Sequence, residues 1–467
     1  MKSWLETESM YNIDFKNPIT VHFMGIGGMS MSGLAQMLVN AGFTIKGSDR
    51  QPSDLTRQLE SKGVVIYYGQ KAENITDDVE LVVYTAAIKA DNPEYMAAVE
   101  KKIPMLTRAE LLGQIMKNYE TAIAVSGTHG KTTTTSMVTS ILLSGKKDPT
   151  VSVGGVMKSI GGNVRIGHSD CFVTEACEYT NSFLSFFPTI SIILNVEEDH
   201  LDFFKDLEDI RNSFKNFAEL LPEDGLLIIS SDIDNYKELT KNVRCKTVTV
   251  SKTDTADYTA RNVTYDNGCA IFDAITPKGE IKAVKLSVPG QHNVTNALCA
   301  IAVAEFMNIS SEDILEGLKD FDGTARRFQY KGTINGVTVI DDFAHHPTEI
   351  RATLDTALKY PHKKLYVVFQ PHTYSRTKSF FDDFAKAFSG VDEVILADIY
   401  AAREKDDLGV SSELLCKAMQ SNGTNACYFS SFDEIEKYVL KICSPGDLLI
   451  IMGAGDIVNI ANSLTQK

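Results

Sequence analysis

An α/β fold in three domains is what the sequence predicts, and three observations predict it. Strand-like apolar runs alternate with helix-period stretches along nearly the whole chain. Two strand-to-helix junctions carry clustered glycines, Gly25-Ile26-Gly27-Gly28 and Gly127-Thr128-His129-Gly130. The chain has 467 residues, which at about 150 residues per domain makes roughly three domains.

In the first part, Ile19–Met24 reads as a buried strand, the glycine cluster follows, and an apolar-periodic helix runs from about Met29 to Asn40. A second strand, Phe43–Lys46, ends at Gly47-Ser48-Asp49, and Leu81–Tyr84 is another. This rhythm predicts a parallel sheet with helices on its faces. The second part begins with the strand Thr121–Val125, then the tight loop Gly127–Lys131 and a helix over about Thr132–Leu143. Cys171–Thr174, Thr189–Leu194 and Leu226–Ile229 read as further strands. Residues 244–290 are richer in Thr, Val, Asp and Gly and predict short antiparallel strands, and an Ala-rich helix over about Asn293–Phe306 closes the part. The third part alternates again, with strands at Val337–Ile340, Lys364–Phe369, Glu393–Leu396 and Leu448–Met452. No long linker separates the parts, so the domains are expected to meet at a shared cleft.

Composition excludes several classes. Lys plus Arg number 46 against 61 Asp plus Glu, a net charge of −15, which argues against a nucleic-acid or anionic-membrane surface. No apolar stretch reaches the roughly 18–20 residues of a membrane span. The acid-bearing N-terminus MKSWLETESMYNIDF does not read as a signal or transit peptide, so the expected place is the cytoplasm. Eight cysteines without a C-x-x-C pair argue against a zinc knuckle or disulfide scaffold and read mostly as buried thiols.

The loop Gly127-Thr128-His129-Gly130-Lys131-Thr132 carries phosphate chemistry. Glycines let the backbone approach phosphate oxygens, N–H groups at a helix start point at the anion, Lys131 adds a charge, and the Thr132 hydroxyl can ligate Mg²⁺. The loop is shorter than a standard Walker loop, because Val125 stands where the first glycine would be. The first cluster, Gly25, Gly27 and Gly28 with Ser30 in place of a third glycine and Asp49 ending the next strand, resembles a dinucleotide fingerprint. It supports a diphosphate-containing nucleotide and leaves NAD, FAD and a UDP-sugar open, beside the purely structural reading of a tight turn. Glu175 and His200 lie just past two strands that follow the phosphate loop, where magnesium ligands and nucleotide contacts collect. In the third part, Asp341-Asp342-Phe343-Ala344-His345-His346 and Gln370-Pro371-His372-Thr373-Tyr374-Ser375-Arg376 follow successive strands. Arg376 can fork onto a carboxylate or phosphate; adjacent His345 and His346 point different ways and do not chelate one metal together.

These segments together resemble the ATP-dependent Mur ligases of peptidoglycan synthesis, and within them the alanine-adding branch. The resemblance rests on HFMGIGGMSMSG from His22, GTHGKTTTT from Gly127, NVEEDHLD from Asn195, PGQHNVTNALCA from Pro289, RRF from Arg326, DDFAHHPTE from Asp341 and FQPHTYSRT from Phe369, in family order across the chain. It implies a Rossmann-like UDP-sugar domain (1–118), a central P-loop ATPase-type domain with a mostly parallel sheet (119–323) and a C-terminal Rossmann-like ligase domain (324–467). It also implies the substrates ATP, UDP-N-acetylmuramate and L-alanine, with Mg²⁺ or Mn²⁺, in a monomer or homodimer. ATP would phosphorylate the lactyl carboxylate, and the alanine amine would displace phosphate. By position, Gly127, Thr128, His129, Gly130, Lys131, Thr132 and Thr133 would bind ATP phosphates. Asn293 and Asn296 would meet adenine, Arg326 or Arg327 the transferring phosphate, and Asp342 the ribose. Thr132, Glu175 and His200 would serve the metals. His345, His346 and Arg376, with Lys131, would line the reaction site, and Gly25, Gly27, Gly28, Ser30 and Asp49 would cradle the UDP-sugar. The chain departs from the family at Cys177 and Thr180, where relatives carry acids, and at Phe343, often Tyr. A relative that attaches a preformed tripeptide to the same sugar nucleotide is the nearest alternative. An NAD(P)-dependent oxidoreductase or a non-catalytic nucleotide-binding regulator are the others; the first leaves the Lys131 loop unexplained.

Overall fold

The structure, a computed structural model, describes residues 11–85, 87–253 and 255–466. Its first sheet is wholly parallel and holds Thr20–Met24 (β1), Thr44–Asp49 (β2), Val65–Tyr68 (β3), Leu81–Tyr84 (β4) and Met105–Thr107 (β5), in the order β3-β2-β1-β4-β5. The order reverses beside β1, which opens a crevice outside the carboxyl ends of β1 and β4. Gly25 follows β1 directly, so the first glycine loop sits at that crevice.

The central sheet holds Thr121–Ser126 (β6), Thr150–Met157 (β7), Gly162–Arg165 (β8), Cys171–Glu175 (β9), Ile190–Ile193 (β10), Leu226–Ser230 (β11) and Lys246–Val250 (β12). Their order is β12-β11-β10-β6-β9-β7-β8, parallel except for the β7–β8 pair. Here the reversal falls beside β6, so the phosphate loop leaves the sheet at its own switch point. Thr259–Asp266 (β13), Cys269–Thr276 (β14) and Gly279–Pro289 (β15) form a separate antiparallel sheet. The last sheet holds Gln329–Ile334 (β16), Val337–Asp342 (β17), Leu365–Phe369 (β18), Glu393–Leu396 (β19), Ala426–Tyr428 (β20) and Leu448–Met452 (β21), ordered β16-β17-β21-β18-β19-β20, with β16 antiparallel.

The α/β expectation holds, with two corrections. Residues 244–290 are not uniformly short and antiparallel, since β12 extends the parallel sheet and β15 runs eleven residues. The strands without a predicted counterpart (β3, β5, β7, β8, β16, β20) lie mostly at or next to sheet edges, where only part of the surface is buried and the apolar run that marks a core strand weakens. The helix Lys131–Ser144 forms from KTTTTSMVTSILLS against the modest helix preference of threonine. Burial decides it: Thr134, Thr135, Ser136 and Thr139 are buried, and Ser136 and Thr139 return their hydroxyls to the carbonyls of Thr132 and Thr135.

One face of the central sheet (Ile123, Val125, Val173, Ile192) packs with helices Lys131–Ser144, His292–Phe306 and Ser311–Asp320 and with the antiparallel sheet. The opposite face (Ala122, Ala124, Phe172, Ile193) shares one apolar core with the first sheet and its helices (Val21, Phe23, Leu111, Ile115). The last sheet carries its own core on each face, and the central unit touches it apolarly through Leu201. All eight cysteines are free; Cys171, Cys245, Cys299 and Cys416 are buried and the other four only half-buried. Among the described residues no helix is long and apolar enough to cross a membrane.

Candidate active site

The phosphate loop is shaped by glycine and by one asparagine. Gly127 (φ +137°) and Gly130 (φ +85°) are left-handed, a region that strains any residue with a Cβ. A Cβ on Gly127 would also lie 2.9 Å from that of Leu194. Asn195, just past β10, accepts from the His129 N–H (2.8 Å) and donates to the His129 carbonyl (3.1 Å), and the Thr128 hydroxyl accepts from the Glu197 N–H (2.9 Å). Gly130 caps the following helix without any side chain covering its N–H groups, which leaves the helix start disposed toward an anion.

Lys131 folds back over this loop. Its ammonium donates to the carbonyls of Gly127 (2.5 Å) and Thr128 (3.1 Å) and to Glu178 (3.0 Å). Burial works against the charge, but the Glu178 carboxylate outweighs it and holds the ammonium pKa above its ordinary value. Glu175, at the end of β9, accepts from the Gly154 N–H (2.5 Å). His200 stacks on Tyr179 at 4.4 Å and lies 3.9 Å from Glu178 and 3.7 Å from Asp199. Burial, ahead of its acidic neighbours, lowers its pKa.

Asp199 joins this group to the last sheet. Arg376 Nε (3.2 Å) and Nη2 (3.0 Å) both donate to Asp199 Oδ1. Burial opposes ionisation there, yet Arg376 and the nearby histidines hold the carboxyl far below the usual range. Asp199, His200, Arg376, His372 and Tyr179 line a cavity of about 340 Å³. Burial pushes His372, His345 and His346 down to about 4, so all three imidazoles are neutral at pH 7.

A second cavity, about 220 Å³, lies between the same two units. His129, Gly130, Thr133, Asn293, Asn296, Arg327, Asp342 and Glu349 are in its lining. Asn296 Nδ2 donates to Asn293 Oδ1 (2.9 Å), which fixes the two amides relative to each other. Glu349 gathers the facing groups: His129 Nδ1 and His345 Nδ1 each at 3.2 Å and Arg327 at 3.8 Å. Burial opposes its charge, yet His345, His129 and Arg327 hold it well below the ordinary carboxylate range. In return Glu349 overcomes the burial of His129 and raises that imidazole above 6.5. His129 Nε2 and His346 Nε2 are buried without a hydrogen-bond partner, so polar capacity remains at this seam.

The first glycine loop is separate. Gly25, Asp49, Arg50, Thr85 and Lys89 help line a cleft of about 810 Å³. Asp49 Oδ2 accepts from the Gly27 N–H (2.8 Å), so this carboxylate braces the loop.

The structure thus brings Lys131, Thr132, Glu175 and His200 to one end of the central sheet, with Arg376 across from them. It places Asn293, Asn296, Arg327 and Asp342 around the smaller cavity. Several of the expected residues already have partners within their own domain. Arg326 donates to the carbonyls of Gly453 and Gly455 within its own unit, and its guanidinium and that of Arg327 lie 5.0 and 5.3 Å from the Phe343 ring. Asp342 already accepts from Phe328 N, Ala344 N and the Thr353 hydroxyl. His346 packs inward against His129 and Phe380, and His345 sits behind His372. Gly28 caps the helix Met29–Asn40, and Ser30 accepts from Arg108. Glu178, Asp199, Glu349, Asn195 and His372 were not among the residues singled out from sequence. All but Glu178 stand within quoted motifs, but which acid of NVEEDHLD faces the seam depends on loop geometry that spacing does not encode.

Family models match the chain three times: the Mur ligase family catalytic domain at residues 20–120, the Mur ligase middle domain at 125–304 and the Mur ligase glutamate ligase domain at 326–455. The UDP-N-acetylmuramate--L-alanine ligases of Agathobacter rectalis and Lachnospira eligens are each 56% identical to it over 459 residues, covering 98% of this chain and 100% of theirs. Among solved structures, the UDP-N-acetylmuramate-alanine ligase of Thermotoga maritima superposes with a TM-score of 0.79 at 30% identity, covering 96% of this chain and 98% of that one. A murein peptide ligase of Psychrobacter arcticus gives 0.71 at 26%, with the same coverage.

Proposed function

The chain belongs to the Mur ligase family, and from that footing we propose that it joins L-alanine to the lactyl carboxylate of UDP-N-acetylmuramate, consuming ATP and releasing ADP and phosphate, in peptidoglycan synthesis. The observation that carries this reading is the pairing across one seam: a phosphate loop with a charged lysine on one side, and Arg376 with neutral imidazoles on the other. Residues 1–118 would hold the sugar nucleotide, 119–323 the ATP, and 324–467 would close over both. We place the enzyme in the cytoplasm, as a monomer or homodimer.

A carboxylate is a poor electrophile and repels the polyphosphate it must attack, so the protein's part is positioning and charge. Lys131 would move from the Gly127 and Thr128 carbonyls onto the β- and γ-phosphates, while Glu178 keeps it protonated. Asn293 and Asn296 would face adenine, and Arg327 the transferring phosphoryl group. For a metal, the structure offers hard oxygen donors at Thr132 and Glu175, with His200 nearby. Among the described residues no three His, Cys, Asp or Glu side chains converge as a ready-made cage. That donor set fits magnesium, which is commonly held by one or two protein groups plus substrate phosphates. Bound there, it would neutralise phosphate charge. Once the acyl phosphate forms, alanine must present a neutral amine. His372 and His345, neutral at pH 7, would sit beside the amine, the His372 Nδ1 lone pair being released from Arg376 Nη1 as Arg376 turns to orient the amino-acid carboxylate. The amine adds to the acyl carbon to form the C–N bond, and the tetrahedral intermediate then expels phosphate as the C–O bond breaks.

The test is phosphate release by purified protein with ATP, Mg²⁺ and UDP-N-acetylmuramate, comparing L-alanine with L-Ala-γ-D-Glu-meso-diaminopimelate. Release that needs both the sugar nucleotide and alanine is expected. Release with the tripeptide alone would move the protein to peptide recycling, and no release with either amine would overturn the ligase reading.

A further inference from the structure

Arg403 stands where two cavities meet. It lines the 340 Å³ cavity with His200 and Arg376, and also the 810 Å³ cleft with Gly25, Asp49 and Arg50. Among the described residues it is the one common to both linings. Its guanidinium is exposed and makes no ion pair or hydrogen bond among those residues.

The segment that presents it is anchored rather than loose. The Glu404 carboxylate accepts from the Thr373 hydroxyl (2.7 Å), the Ser375 N–H (2.8 Å) and the Ser375 hydroxyl (2.5 Å). The Tyr400 ring stacks on His372 at 5.6 Å. Ala402, between these anchors, is left-handed at φ +53°, a conformation that strains alanine and persists only where its surroundings hold it. The cation is therefore held by the stretch that carries Arg376 and projected toward the first domain. The cleft it enters has Arg50, Lys89 and Asp91 in its wall, and Asp49 there is occupied with backbone N–H groups of Gly27 and Arg50.

We propose that Arg403 is a substrate-binding residue which the last domain contributes to the sugar-nucleotide site, forking onto paired anionic oxygens of that substrate. The inference rests on the ligase reading: a sugar nucleotide with its diphosphate at Gly25 and its carboxylate near Lys131 and Arg376 has to pass Arg403. Both of its anionic groups, diphosphate and lactyl carboxylate, present the oxygen pair that a guanidinium fork matches. The arrangement ties correct placement of the sugar nucleotide to the loop that holds the amino-acid site.

The experiment is calorimetric titration of the full chain and its Arg403→Ala and Arg403→Lys variants with UDP-N-acetylmuramate and with UDP-N-acetylglucosamine, which keeps the diphosphate and lacks the lactyl carboxylate. Arg403→Ala is expected to weaken UDP-N-acetylmuramate about tenfold or more. Arg403→Lys should recover part of that loss, and the thermal midpoint and KM for ATP should stay unchanged. Equal weakening of both nucleotides assigns the diphosphate, and weakening of the muramate alone assigns the carboxylate; either supports the proposal. Unchanged affinity for both in Arg403→Ala, with wild-type phosphate release intact, overturns this proposal and leaves the ligase reading standing. Wild-type protein that does not bind UDP-N-acetylmuramate overturns both.

Discussion

The central domain meets its two neighbours in opposite ways. Toward the first sheet the contact is apolar and continuous: Phe172 and Ala124 share a core with Leu111 and Ile115, and the rings of Phe15 and Tyr119 lie 6.1 Å apart. The helix Arg108–Met116 approaches so closely that a Cβ on Gly113 would sit 1.9 Å from the Ser185 carbonyl oxygen. Toward the last sheet the contact is made of charge: Arg376 with Asp199, His129 with Glu349, and the Thr348 hydroxyl with Glu197. An apolar joint exposes its core to water if it opens, whereas charged partners can be rehydrated separately. The first interface is built to stay shut and the second to part, and the proposed chemistry lies on the second, where substrates must enter.

The comparison can be broken most forcefully at the apolar joint. Phe172→Ala removes a fully buried ring and should lower stability by about 3–5 kcal/mol, read as a single lowered transition in denaturant. Two separate transitions would mean that the first two domains are not one core. Lys131→Ala should cut phosphate release on the order of a thousandfold. It also leaves Glu178, 3% exposed, without its partner, at a cost of about 3 kcal/mol. Adding Glu178→Gln should restore the melting temperature and not the turnover; a double variant that turns over would unseat the lysine from phosphate binding. Arg376→Ala should raise the KM for alanine about tenfold and shift the unfolding midpoint little, because Asp199 regains water when the seam parts. A large stability loss without a change in alanine KM would make Arg376 a structural rivet.

The charged seam also responds to pH. His292, His345, His346 and His372 are held near 4 by burial, below the unfolded value of about 6.5. The unfolded chain then binds more protons, and stability falls as pH drops from about 6.5 toward 4. His129 acts with the other sign. Its pKa is raised by Glu349, so its contribution is full below about 6.5 and is lost as pH rises through the raised value. Closure of this seam, followed by small-angle scattering, should therefore be greatest near neutrality, and Glu349→Gln should remove the alkaline limb and move the acid limb lower still, because Glu349 also faces His345, His346 and His292. A flat profile from pH 5 to 8 would refute the assignment of these histidines to the seam.

Much of this architecture was open to reading before any coordinates. The glycine loops, their strand-before and helix-after setting, and the apolar runs of the central strands are local, since each depends on residues within about a turn of one another. Lys131, Glu175 and His200 were legible for the same reason, as each follows a strand whose end must face the switch point. The acids that complete the site were not. Glu178, Asp199 and Glu349 owe their roles to partners 47, 177 and 220 residues away in sequence. Spacing also could not divide Arg326, spent on its own domain's carbonyls, from Arg327, which faces the cavity. By itself the sequence determined which strands and loops exist and what each could bind, because backbone conformation and burial pattern are decided locally. Only the tertiary structure decided which charges meet across the seam and where Arg403 points, because an ion pair between domains depends on how two independently folded surfaces lie together.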